Sequence, residues 1–243
     1  IIGGKANDWT IALYWACFSE FLERGGKILD PKTLLPAFSD AIGVEAVRKY
    51  TDLHMKYNMT EPDAASGEHY GLSQLWRGSR AAMFLDFPIL IAESYHITNE
   101  APYGEPPTHL AVYSEGYDKS WAMCINKYSV NKEATYKALE FSSSKEAVLI
   151  YTSRGGVPSR LDVLNDPDVV KVRPYFPVMG EVHKKAHLPL AIDPKPITVS
   201  WAVLNEIATA ISAVLSRQSS VEDALKGAYD RVYDVMNKAG YYK

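Results

Sequence analysis

LSRQSSVEDALKGAYDRV, residues 215–232, joins two long helical patterns. Upstream lies a long apolar helix, about 198–215. Downstream, Ser219 and Glu222 form the capping-box pattern, in which each side chain satisfies the other's open backbone donor at a helix start. That cap predicts a terminal helix running to about Met236. Two adjoining long helices at one end already exclude an all-β protein.

Working outward, a proline-rich link (Pro189, Pro194, Pro196) precedes this pair, and Asp166-Pro167 opens a short helix before it. Helices are predicted over 130–142 and 145–152, entered through Ser129 and Ser144, the second ending at Gly155-Gly156-Val157-Pro158. Leu110–Tyr113 and Trp121–Ile125 are short apolar runs of strand length, placed after a rigid loop over 98–108 with Pro102, Gly104, Pro106 and Pro107. In GSRAAMFLDFP, residues 78–88, the run Ala81–Leu85 is short, unalternating and bounded by turn residues, so it predicts a buried strand ending at Asp86-Phe87-Pro88. Near the start, 8–24 predicts a helix from Ile11, Tyr14, Trp15, Phe18, Phe21 and Leu22, stopped by Gly25-Gly26. A further amphipathic helix covers about 41–57, with Ala46, Val47, Tyr50, Leu53 and Tyr57 on one stripe. The order is that of a helix-rich α/β protein with few strands, and the strands near 110 and 121 are short of partners.

The 243 residues are enough for one large domain or two modest ones. A net charge of -3 without any lysine- or arginine-rich block excludes a nucleic-acid partner. Sixteen Tyr and five Trp lean toward gripping a polar ligand, because these rings join an apolar face to a polar edge. Cys17 and Cys124 form neither a disulfide framework nor a metal cluster and are expected as free buried thiols. No apolar stretch approaches the roughly 20 residues of a membrane span. The chain begins with Ile, so its start is expected to be processed or cropped.

Six stretches in this order carry a resemblance: the helix ending in Gly-Gly, VEAVRKYTDL, GSRAAMFLDFP, an apolar strand into Asn-Lys, NKEATYKALEFSSSKEAVLIYTSRGGVPSR, and LSRQSSVEDALKGAYDRV. Together they resemble the family 1 extracellular solute-binding proteins of ABC importers, the relatives of maltose-binding protein. The resemblance implies a periplasmic binding protein-like II fold, present mainly as its helix-rich C-terminal lobe with a fragment of the N-terminal lobe. It places 1–118 and 170–243 in the C-terminal lobe and 119–169 in a segment crossing into the other. Family members are typically longer, so the chain is expected to be the carboxy-terminal part of such a protein.

The same resemblance implies a small polar solute, first among them a sugar or oligosaccharide, held between two hinged lobes and delivered to permease subunits at the membrane. Closure would be a population shift, since solute touches both lobes only when they are shut. It also implies a periplasmic or extracellular location with a possible lipid tether, no cofactor and no metal. Matching places Asp8, Trp9, Tyr14, Trp15, Asp86, Phe87, Tyr117, Trp121, Gly156, Arg160 and Trp201 at the solute. Rings would cover the C–H faces of a sugar and Asp86 would accept from its hydroxyls.

Each residue has a plainer role beside this one. Trp15 and Trp201 are equally suited to packing, Asp86 to a cap, Arg160 to the surface, and Gly155-Gly156 to a turn that lacks the lysine of a phosphate loop. His183 and His187, four apart, would share a helix face and suit a metal only with a third ligand. The IIGG start is that of an activated trypsin-like protease, but the Gly-Asp-Ser-Gly-Gly context and the β-rich pattern are absent. A carbohydrate hydrolase with Asp86 and Asp118 as acid and base is the alternative from another class, and a folded scaffold that binds nothing is a third. Two further expectations concern the fragment: weak or no solute binding, because one wall is missing, and an apolar edge at 121–125 covered by self-association or by a remnant of the lost lobe.

Overall fold

The computed structural model describes residues 11–12, 15–16, 20–60, 80, 82, 116–117, 122–154, 156–187, 191–192 and 195–242. The expected strand at 110–113, the loop over 98–108, and Asp8, Trp9, Tyr14, Cys17, Asp86, Phe87, Asp118 and Trp121 lie outside these residues, as does the expected buried strand at 81–85 except for Ala82, which is an exposed bend. The described elements are α1 (Ala41–Met55), β1 (Gly116–Tyr117), α2 (Lys132–Ser142), α3 (Lys145–Ser153), α4 (Leu161–Leu164), α5 (Pro167–Val172), α6 (Phe176–Lys185), β2 (Ala186–His187), β3 (Ala191–Ile192), β4 (Lys195–Pro196), α7 (Ser200–Leu215) and α8 (Val221–Lys238). Ile11, Ala12, Trp15 and Ala16 are helical as well, within the predicted 8–24.

The chain divides into two compact units. One holds Ile1–Asp86, Tyr113–Asp118 and Ala186–Lys243, and the other Phe87–Val112 and Lys119–Lys185.

The first unit is built on α7. Its buried residues, Val203, Leu204, Ile207, Ala208, Ala210, Ile211, Ser212 and Val214, face several directions, as expected of a helix enclosed by others. α8 instead buries a single stripe, Val221, Ala224, Leu225, Ala228, Val232 and Met236, at the spacing that brings side chains onto one helix face. α1 does likewise with Gly43, Ala46, Val47, Tyr50 and Thr51. The three helices pack on one another, and Ile11, Trp15, Phe21, Ile28, Phe38 and Ile197 close the same core.

Helix ends correct one prediction. The cap of α8 is Ser220, not Ser219: Ser220 Oγ accepts from Asp223 N–H at 3.1 Å and donates to Asp223 Oδ2 at 2.7 Å. Both serines have an acid three residues on, and in the fold it is the Ser220–Asp223 pair that closes. Glu222, left out of the box, pairs with Arg48 of α1. α7 ends in a Schellman turn, with Arg217 N–H on Val214 O and Gln218 N–H on Ala213 O.

In the second unit α3 is capped by Ser144 and α5 by Asp166, as the sequence implied. Val148, Val163, Leu164, Tyr175, Phe176 and Met179 are buried there, whereas α2 buries nothing. Residues 122–125, the described part of the strand expected at 121–125, make no strand pair among the described residues and are largely exposed. Cys124 is a free thiol but an exposed one, against the expected burial. Sheet is sparse in the described residues. β1 runs parallel to β2, with Gly116 opposite Ala186 and Tyr117 opposite His187, and β3 pairs with β4 as an antiparallel hairpin.

Candidate functional site

Trp201 stands in the first turn of α7 and is 46% exposed, on the most apolar helix of the unit. α7 has no side-chain cap, since Val199 occupies the cap position. The chain enters it from the β3–β4 hairpin through Ile197, which is buried, while Ser200 N–H closes a turn on Ile197 O at 3.1 Å. Thr198 is held from outside the helix: its N–H donates to Tyr241 Oη at 3.0 Å, and its Oγ1 lies 3.0 Å from the same oxygen. These bonds, the side-chain one foremost, hold the Tyr241 phenol below its ordinary range.

Trp15, the other tryptophan matched to solute, belongs to the core. It is wholly buried, its ring centroid 4.6 Å from that of Phe21, and no face is left for a sugar to stack on. Its Nε1 finds no acceptor among the described residues, Asn205 Oδ1 finds no donor there, and Ser212 Oγ finds neither. Of the two roles open for Trp15 in the sequence, the structure shows packing. The apolar neighbours on its helix face are the reason.

In the second unit, Gly156 follows α3. A Cβ there would fall 2.0–2.2 Å from the ring of Tyr151, so only glycine admits the ring. Gly156 N–H also donates to Tyr151 O at 3.0 Å, and the Tyr151 side of this contact is 55% exposed. Tyr151 was not singled out in the sequence. The signal was there, an aromatic residue one helical turn ahead of a Gly-Gly stop.

Arg160 is committed to its own neighbourhood. Nε and Nη2 donate to the two oxygens of Asp162, each at 2.9 Å, and Nη1 donates to Ser143 O at 3.1 Å. A cation at the last carbonyls of α2 is favourable there, and the guanidinium holds the Asp162 carboxyl below its usual range. Lys145 makes a parallel tie to Asp166 at 3.1 Å. Arg160 thus serves as a strut between loop and helix end, the plainer of its two readings.

Tyr117 lies in β1, where only its backbone is described. His183 falls in α6 but His187 in β2, because the helix ends at Lys185, so the shared helix face required for a metal pair does not form. Among the described residues no group of three or more metal-ligating side chains occurs. The described residues therefore bring together Tyr241 and Thr198, the latter three residues ahead of Trp201 in the chain, in one unit and Tyr151 with Gly156 in the other.

No protein-family model matches the sequence. Solved structures do match. Maltose-bound MalE3 of T. maritima superposes with a TM-score of 0.81 at 19% identity, over 97% of this chain and 60% of that one. An ABC transporter solute-binding protein of Thermotoga lettingae TMO with bound α-D-tagatose gives 0.76 at 23% identity, covering 97% and 58%. One of Agrobacterium vitis S4 with bound D-mannitol gives 0.73 at 22% identity, covering 100% and 61%. The chain has the fold of ABC transporter solute-binding proteins along its own length, and spans about 60% of theirs.

Proposed function

We propose that this chain is the solute-gripping part of an ABC transporter binding protein, and that its solute is a sugar or polyol. The observation that carries this is the fold match over 97% of the chain to a maltose-bound protein, repeated with tagatose- and mannitol-bound ones. In this reading the first unit is the C-terminal lobe and the second a portion of the N-terminal lobe. Trp201 and Tyr117 contact solute, as do Asp8, Trp9, Tyr14, Asp86, Phe87, Trp121 and the loop at Gly156. Trp15 and Arg160 drop out of the set, one spent on the core and the other on a strut.

The protein binds and does not turn over its solute, works outside the cytoplasmic membrane with or without a lipid tether, and hands solute to permease subunits. Among the described residues no helix is long and apolar enough to cross a membrane. Apolar side chains of the second unit, Val130 and Tyr128 above all, are almost fully exposed and favour self-association.

The test is a thermal-shift screen with maltose, D-tagatose, D-mannitol and ribitol, run beside an assay for sugar hydrolysis. Because the chain spans only part of the matched structures, affinity in the millimolar range is expected. A ligand at about ten times its Kd then adds roughly 1.4 kcal/mol, enough to move the melting point. No shift with any sugar sinks the reading, and hydrolysis replaces it with the enzyme. Micromolar affinity by calorimetry would overturn the expectation of weak binding.

A further inference from the structure

We infer that Tyr241, two residues from the end of the chain, is a positioning residue for the solute-contacting surface at the head of α7. The inference rests on the proposed solute role of Trp201 and adds to it a device that sets where Trp201 sits.

The device is built by the end of α8. Gly240, at φ 86°, closes a Schellman turn with its N–H on Asn237 O at 2.9 Å, and Tyr241 N–H follows on Met236 O at 3.1 Å. The turn reverses the chain, so the last tyrosines leave α8 on a defined course. Tyr242 stacks on Tyr233 of α8, centroids 4.7 Å apart at 24°, and its hydroxyl donates to Leu34 O at 2.9 Å. Leu34 is itself held in the left-handed region, φ 61°, by the Asp30 turn, so the Tyr242 anchor grips a stiff point. With Tyr242 pinned, Tyr241 is carried to Thr198, where its phenol oxygen accepts from the amide and shares a hydrogen bond with the hydroxyl of that residue.

Thr198 matters because it stands two residues ahead of α7, which starts at Ser200 with no side-chain cap and carries Trp201 in its first turn. On the core side the entry is held by buried Ile197, and on the tail side by Tyr241. Removing the phenol oxygen leaves the ring in place and frees Thr198 to move. The first turn, with its tryptophan, then loses its outer restraint.

The experiment uses the 243-residue chain with 5-fluorotryptophan at its five tryptophans. The Trp201 fluorine line is identified by its loss in Trp201→Phe. In Tyr241→Phe this line is expected to shift or broaden before any sugar is added. For whichever of maltose, D-tagatose, D-mannitol or ribitol stabilises the unaltered chain, Kd should rise about three- to tenfold, the range of one modest hydrogen bond. In a Trp201→Ala background the same change should add nothing, because the effect passes through that ring.

An unmoved Trp201 line overturns the inference, as does equal weakening in both backgrounds. If none of the four sugars binds the unaltered chain, the solute reading fails by itself, and the fluorine line still decides whether Tyr241 positions Trp201. It also decides alone if Trp201→Ala leaves no measurable affinity. Should Tyr241→Phe fail to fold, Thr198→Val, which keeps the amide donor and loses the hydroxyl, is expected to move the line in the same direction by less.

Discussion

Trp15 and Trp201 are the same residue type in the same unit, each in a helix, and they end in opposite environments. One is wholly buried against Phe21, the other is close to half exposed at a helix head. A third ring, Tyr50 of α1, has its phenol fully enclosed, and burial pushes its pKa well above the ordinary value. Tyr242 is pushed up as well, to about 12, by burial and by the neighbouring Tyr229 and Tyr233. Their sign is the same: a raised folded pKa leaves the stabilising neutral form intact below the unfolded value near 10 and loses it as pH climbs toward the folded one. Tyr241, lowered by Thr198, acts in the opposite sense. Urea midpoints measured from about pH 8 to about pH 11 should therefore fall above pH ~10, and Tyr50→Phe should flatten part of that fall. A midpoint that stays level in the unaltered chain would contradict the burial of these phenols.

At the scale of the element, the loop between α7 and α8 carries two separable effects. Ser220→Ala removes the cap of α8 and is expected to cost about 1 kcal/mol, whereas Ser219→Ala should change stability by less than about 0.5 kcal/mol. Chemical denaturation of the two variants decides which serine is the cap. Arg217 stands at the left-handed position of the α7 terminus with φ 59°, a place where a Cβ is strained and glycine is favoured. Arg217→Gly is expected to stabilise the chain by roughly 0.5–1 kcal/mol, seen as a melting point a few degrees higher. The cap type was legible in SSVED but its register was not. Local chemistry offers the same bond to either serine; in the fold Asp223 stays with Ser220 while Glu222 pairs with Arg48 of α1.

At the scale of the whole molecule, the two units differ in how they hold their helices. α7 and α8 are embedded in a continuous core of side chains, while α2 buries no residue and is short of the ~12–15 residues at which an isolated helix becomes even marginal in water. Amide exchange should track that contrast. Protection across 132–142 is expected to be at least about a hundredfold lower than across 203–214, since local opening there exposes almost nothing new. Equal protection in the two helices would show that α2 is covered in solution, as self-association through the face bearing Val130 and Tyr128 would make it.

The sequence by itself determined the longer helices α1, α2, α3, α7 and α8 and their order, but not α4 or α6, because periodicity and capping residues act within a few residues of chain. It also determined, through six ordered motifs, the class of fold that the solved structures share. Only the tertiary structure decided which aromatic rings are core and which are surface, since Trp15 and Trp201 differ in what surrounds them and not in their local pattern. It alone joined Tyr241 to Thr198, 43 residues apart, and Tyr242 to Leu34, 208 apart, because a hydrogen bond across such separations leaves no periodic trace in the chain. It also tied Arg160 to Asp162 and Ser143, a commitment that depends on how a loop meets a helix end.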